Sequence, residues 1–199
     1  MSGIERTLFD SDHEIFRDTV RRFVDEEIAP YHAQWEKDGK ISREAWLKAG
    51  ELGLLCASMP EEYGGGGVDR TYSIILMEEL ARAGATGPGF GLHSEIVAPY
   101  INRYGSDEQK RRFLPKMAKG EMIGAIAMTE PGTGSDLQGV RTTAVKDGNE
   151  LVINGAKTFI TNGAMSDLVL VVCKTDPEAG AKGISLVLVE TGSEGYRKG

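Results

Sequence analysis

Cysteine is scarce in this sequence, and so is histidine. The two cysteines, Cys56 and Cys173, stand far apart among apolar neighbours, which excludes a disulfide framework and any CxxC redox or metal spacing. His13, His32 and His93 are equally scattered, so a protein-built metal site is not expected. No apolar run approaches the ~18 residues of a membrane span. The opening residues, MSGIERTLFDSDHE, carry no apolar h-region and no Arg- and Ser-rich amphipathic pattern, so no targeting signal is visible and the cytoplasm is the expected location. A basic surface for nucleic acid is also missing: 30 acids against 23 bases give a net charge of −7. A small phosphorylated ligand stays compatible with that charge, because it needs only a local donor site.

What is present is an ordinary globular balance, with 40% hydrophobic and 27% charged residues over 199 positions, enough to bury a core. The pattern changes near Gly120. Before it, apolar residues recur at helical spacing. Ser11 with Glu14 reads as a capping box opening a helix whose stripe is Ile15, Phe16, Thr19, Val20, Phe23, Val24 and Ile28, with Pro30 kinking or ending it. Further helices are expected from Ser42 to Gly53, from Asp69 through Leu80, and from Leu92 to Tyr104. A fifth opens at the Ser106–Gln109 capping box and is interrupted by Pro115. After Met122 come strand-like runs at 123–128, 140–145, 151–153, 158–160, 168–173 and 184–189. Asp147-Gly148 and Asn154-Gly155 read as hairpin-type turns. The expected architecture is α+β and multidomain, with an all-α helical domain over residues 1–120 and an incomplete antiparallel β-barrel or sandwich over 121–199.

Two segments carry chemistry. The loop from Thr129 to Gly139 follows a buried-looking strand and holds Gly132, Gly134 and Gly139, whose bare amides suit contacts to an electron-rich ligand edge, with the hydroxyls of Thr129 and Ser135 beside them. The second segment, Phe159-Ile160-Thr161-Asn162-Gly163, sets an aromatic next to a hydroxyl at a strand end. Gly64–Gly67 lacks the Gly-Lys-Ser/Thr of a phosphate loop and reads as a turn, and no GxGxxG occurs. Lys110, Arg111, Arg112 and Lys116 read as a solvated helix face.

The run Ala127-Met128-Thr129-Glu130-Pro131-Gly132-Thr133-Gly134-Ser135-Asp136, together with the Phe159 segment, resembles the flavin-facing motifs of acyl-CoA dehydrogenases. The stretches Glu61-Glu62-Tyr63-Gly64-Gly65, Tyr104-Gly105-Ser106-Asp107-Glu108-Gln109-Lys110, Asn154-Gly155-Ala156-Lys157 and Gly183-Ile184-Ser185 are also similar to landmarks of that family, so the likeness covers the whole chain. Gly87-Pro88-Gly89-Phe90 and Gly134-Ser135-Asp136-Leu137-Gln138-Gly139 look most like its long-chain-specific branch. Thr133, where the family usually has Ala, Gly or Ser, and Phe159, where many members have Trp, depart from the pattern.

The resemblance implies FAD as cofactor. It implies that Ile126, Ala127, Met128, Thr129, Glu130, Pro131, Gly132, Thr133, Gly134 and Ser135 line the flavin on one side, and that Phe159, Ile160 and Thr161 form the other wall, with Thr161 near N5. Ser135, Ala181 and Lys182 would touch the acyl-CoA substrate, although a solvated hairpin accounts equally well for Ala181 and Lys182. Asp136 would brace the Gly-rich turn. The implied reaction is α,β-dehydrogenation of a fatty acyl-CoA, with electrons passed to an electron-transfer flavoprotein by a homotetramer. The family's catalytic base is a Glu of a C-terminal helical domain that is absent from these residues, so no catalytic residue is named. A chain of these residues alone is expected to hold FAD weakly and to be inactive. A flavin oxidase or monooxygenase of the same fold, and a non-catalytic acyl-CoA-binding fragment, share the same motifs.

Overall fold

The structure, a computed structural model, describes residues 7–199. Residues 1–6, the start of the stretch inspected for a leader, lie outside them. The chain divides into two compact units, the first ending at Met122 and the second running Ile123–Gly199.

The first unit is helical: α1 Ser11–Phe23, α2 Ala29–Asp38, α3 Arg43–Glu51, α4 Arg70–Arg82, α5 Phe90–Leu92, α6 Ala98–Tyr104 and α7 Asp107–Ala118. Several boundaries follow the sequence signals. Ser42 caps α3 through Ala45 N, Asp69 caps α4 through Thr71 N, and Ser106 with Gln109 forms a complete capping box on α7. The first helix differs from expectation. Its cap is Asp10, whose carboxylate accepts from the amides of Asp12 and His13, while His13 closes the box; Ser11 is already helical. Pro30 does not end the helical run, which continues to Asp38. A π-helical turn, Val24–Ile28, joins α1 to α2 and puts the proline at the start of the next helix, where it has no N–H to lose. A second π turn, His93–Val97, joins α5 to α6 in the same way and places Pro99 in the first turn of α6. Pro115 sits inside α7 without interrupting it, three residues from the end.

The core of this unit gathers Val20, Ile28, Trp46, Leu55, Ile75, Phe90, Ile101, Leu114 and Met117, all essentially buried. Trp46 packs edge-on to Phe90 with ring centroids 4.7 Å apart. Among the described residues no helix is long and apolar enough to cross a membrane, and no group of three or more metal-ligating side chains occurs.

The second unit is a five-stranded sheet: β1 Gly124–Ala127, β2 Thr143–Asp147, β3 Glu150–Asn154, β4 Leu168–Lys174 and β5 Ile184–Glu190. The sheet is mixed, which corrects the antiparallel barrel or sandwich. β1 runs parallel to β4, from Gly124 opposite Leu168 to Ala127 opposite Val171. β5 pairs antiparallel along the whole of β4. β2 meets β4 only at Thr143 opposite Lys174, and because β5 occupies the other edge of β4 there, β2 must lie on the β1 side, end to end with β1. The physical reason is connection length. A parallel pair needs a long crossover, and the chain between β1 and β4 carries the entire β2–β3 hairpin.

That hairpin turns at Gly148-Asn149, as Asp147-Gly148 predicts, with Gly148 at φ 59° and Asp147 opposite Glu150. Asn154-Gly155 is not a hairpin turn. Gly155 instead passes so close to Thr142 that an added Cβ would lie 2.2 Å from its hydroxyl oxygen. Nor is 158–160 a strand, because Phe159 takes the left-handed conformation, φ 56°, which breaks the extended backbone. Ala125, Ala127, Ala144, Val169, Val171 and Cys173 form the buried cluster on one face of this sheet.

Candidate functional site

Where β4 changes partner from β1 to β2, the sheet has a gap, and Glu130 fills it. Just past the end of β1, its carboxylate accepts from Arg141 N at 2.7 Å and from Thr142 N at 2.9 Å, two amides immediately before β2. Thr142 Oγ1 donates to the same carboxylate at 2.6 Å, and Lys157 Nζ donates at 2.9 Å. Burial alone would push this carboxyl up. The donors from Thr142, Lys157 and Arg141 outweigh it and hold the carboxyl at about 2. Glu130 is therefore a permanently charged peg.

The Gly-rich loop starts from this peg. Glu130 N donates to Thr133 O at 2.9 Å and Thr133 N to Glu130 O at 3.0 Å, so Pro131 and Gly132 form the corner of a closed turn. Thr133 is buried, and its hydroxyl donates to Gly139 O at 3.0 Å, tying the start of the loop to its end. Asp136 also braces the loop, through its carbonyl: Gly139 N donates to Asp136 O at 3.1 Å. Beyond the corner the loop is open. Pro131, Gly132, Gly134 and Ser135 are exposed, and a Cβ on Gly132 or Gly134 would meet nothing within 4 Å. The amides of Gly132, Gly134 and Ser135 have no protein acceptor among the described residues.

The second segment lies against the first. Thr158 N donates to Thr129 O at 3.0 Å, and Asn162 Nδ2 donates to Gly124 O at 3.1 Å, so residues 158–162 run back along β1. Between these anchors Phe159 stands 92% exposed in a left-handed conformation that costs a non-glycine residue ~1 kcal/mol or more. An exposed aromatic ring on a strained backbone contributes little to a core. Ile160 is half-buried against the sheet's apolar cluster, and Thr161 is exposed.

The remaining candidates separate by burial. Ile126 and Ala127 are buried strand residues, Met128 is partly exposed, and Thr129 is intermediate. Ala181 and Lys182 are exposed in the 3₁₀ segment Pro177–Gly183 that follows β4. Since β1 and β4 are parallel, that segment and the Gly-rich loop leave the same end of the sheet. No hydrogen bond or ion pair among the described residues joins the two. Lys157 and the hydroxyls of Thr142 and Thr133 take structural roles that no motif in the sequence announces. The available signal for the first two was a glutamate three residues past an all-apolar strand, where burial demands partners.

A helical unit followed by a mixed-sheet unit, with a Gly-rich loop and an exposed aromatic at one end of that sheet, defines the class. The family model "Acyl-CoA dehydrogenase, N-terminal domain" matches residues 10–121, and "Acyl-CoA dehydrogenase, middle domain" matches residues 125–199. The chain belongs to the acyl-CoA dehydrogenase family. It is 57% identical over 199 residues to the mitochondrial long-chain specific acyl-CoA dehydrogenase of Sus scrofa, covering 99% of this chain and 46% of that protein. Among solved structures, acyl-CoA dehydrogenase from Geobacillus kaustophilus superposes with a TM-score of 0.92 at 49% identity, covering 96% of this chain and 51% of that one. Acyl-CoA dehydrogenase complexed with FAD from Bacillus anthracis gives 0.86 at 37% identity, with 96% and 33% covered. The chain thus spans about half the length of the curated relatives it matches.

Proposed function

We propose that these residues form the FAD-facing and thioester-facing part of an acyl-CoA dehydrogenase that converts a long-chain fatty acyl-CoA to its trans-2-enoyl-CoA and passes the electrons to an electron-transfer flavoprotein. One observation carries the reading: the solvent-exposed Phe159 ring, held in a left-handed conformation next to a loop whose amides at Gly132, Gly134 and Ser135 have no acceptor among the described residues. FAD suits this surface, because a flat ring with acceptors along one edge takes both an aromatic cover and a row of bare donors. When bound, FAD supplies a two-electron acceptor at its N5.

The chain's own residues bind, orient and exclude. Phe159 would cover the flavin ring and keep water from it. The Thr129 and Thr161 hydroxyls and the loop amides would hold its polar atoms, which is preorganised electrostatics rather than chemistry. Ser135, Ala181 and Lys182 face the acyl-CoA, where the Lys182 ammonium suits a phosphate. Glu130 is not the base that removes the α-proton: its carboxylate is buried, bonded to four donors and held at about 2, far below the range of a working base at neutral pH. We assign that step to a carboxylate outside these residues, so these residues alone should turn over no substrate. The 57% identity to a long-chain specific relative supports the chain-length reading.

Titrating the chain with FAD while following flavin fluorescence tests the proposal. Saturable uptake that Phe159→Ala abolishes is expected, and uptake indifferent to Phe159 would sink it. Thermal shifts with butyryl-, octanoyl- and palmitoyl-CoA should grow with chain length; a flat series would refute the long-chain assignment.

A further inference from the structure

Lys157 is the least expected residue at this end of the sheet. Its ammonium is nearly buried, with side-chain exposure of 10%, and it spans Met128 O at 2.9 Å and Glu130 Oε1 at 2.9 Å. Both acceptors belong to the stretch that enters the Gly-rich loop. On its own side, Lys157 is followed directly by Thr158, which bonds Thr129, and then by the strained, exposed Phe159. One ammonium therefore links the start of one wall to the start of the other.

We infer that the Glu130–Lys157 pair, seated in the gap between β1 and β2, is the positioning element that sets the spacing of the Gly-rich loop against the Phe159 segment and so tunes flavin affinity. The inference rests on reading this end of the sheet as the flavin surface. Its geometry is over-determined. Glu130 receives four donors, three on Oε1 (Thr142 N, Thr142 Oγ1 and Lys157 Nζ) and one on Oε2 (Arg141 N). The loop cannot shift without breaking one of them, and the lysine cannot withdraw without stranding a buried carboxylate. The sheet core does not depend on the pair in this way, because β4 is held along its length by β5 and over Leu168–Val171 by β1. Loss of the lysine should loosen the two walls and leave the middle of the sheet intact.

The test compares the wild-type chain with Lys157→Met, which keeps the side-chain length and removes the donor, and with Lys157→Arg, which restores a cation. Glu130→Gln, which keeps the shape and removes the charge, serves as a second probe. Amide hydrogen exchange is read at the bonded amides of two segments, Glu130 and Thr133 in the first and Thr158 and Gly163 in the second, and at residues 168–174, and FAD affinity by fluorescence titration. Lys157→Met should speed exchange in the first two segments together and leave 168–174 unchanged. FAD binding should weaken by about tenfold or more, the effect of one lost charge-assisted hydrogen bond, with partial recovery in Lys157→Arg. Unchanged exchange in either wall would overturn the inference, as would unchanged FAD affinity in a chain that binds FAD. Uniform acceleration that includes 168–174 would mean the pair only stabilises the unit, and would also overturn it. If the wild-type chain takes up no FAD, the functional reading fails alone, and the exchange measurement still decides whether the two walls are coupled.

Discussion

The guanidinium of Arg21 on α1 grips the carboxylate of Glu79 on α4 by two bonds, Nε to Oε2 at 3.0 Å and Nη2 to Oε1 at 2.9 Å. Glu79 is buried, and Arg17 and Arg82 also reach it, so three cations converge on one acid between two helices. The bond from Arg21 outweighs the cost of burial and, with the other two, holds the carboxyl at about 2 against an ordinary 4.5. A folded-state pKa below the unfolded value stabilises fully above the unfolded pKa and is lost as pH falls from 4.5 through 2. Glu79→Gln should lower stability at neutral pH by about 3 kcal/mol and flatten the acid side of the stability curve in that window. Both tryptophans, Trp35 and Trp46, belong to the helical unit, so tryptophan fluorescence during acid unfolding measures this directly. An acid slope identical to wild type would contradict it.

Gly50 and the end of α7 allow no extra atom. A Cβ on Gly50 would fall 2.2 Å from the Lys119 carbonyl carbon and oxygen, which are backbone and cannot step aside. Gly50→Ala should cost about 3 kcal/mol, read as a drop in the denaturation midpoint of the helical unit. A loss within experimental error would show that α3 and α7 are not locked together.

Phe159 trades stability for exposure. Phe159→Gly should leave the sheet unit as stable as wild type or raise its stability by up to ~1 kcal/mol, because relief of the left-handed strain is offset by glycine's unfolded-state entropy. FAD binding should fall in the same variant. A clear drop in stability would mean that the ring is a packing residue after all.

Burial pushes the Cys56 thiol up to about 12 and raises that of Cys173 in the same direction. Neither should react with an aromatic disulfide reagent in the native chain, and both should react after denaturation. One equivalent consumed within minutes under native conditions would refute this.

Local chemistry was legible in the sequence; partnership was not. Ser42, Asp69 and Ser106 announce their helices because a cap acts within four residues. Asp10 and Ser11 are both good caps side by side, and the choice falls to Asp10 because His13 completes its box. The two π turns leave no clear mark, since one extra residue per turn only slips the apolar stripe. The parallel pairing of β1 with β4 did have a signal: Gly124-Ala125-Ile126-Ala127 and Leu168–Cys173 are unbroken apolar runs, the pattern of strands buried on both faces. At the site, the Gly-rich loop and Phe159 were readable as residue types. The Glu130–Lys157 bond was not, because 27 residues and a whole hairpin separate its ends.

The parallel ladder also dictates an order of events during synthesis. β1 leaves the ribosome some forty residues before β4, the strand it pairs with. Until residues near Lys174 have emerged, β1 is an unpaired apolar edge and Glu130 has no sheet gap to fill. Long-range pairing of this kind is slow and exposes the nascent segment to mispairing. The end of the sheet that carries the Gly-rich loop thus cannot form until β4 has been made, although β1 is the first strand of its unit to emerge.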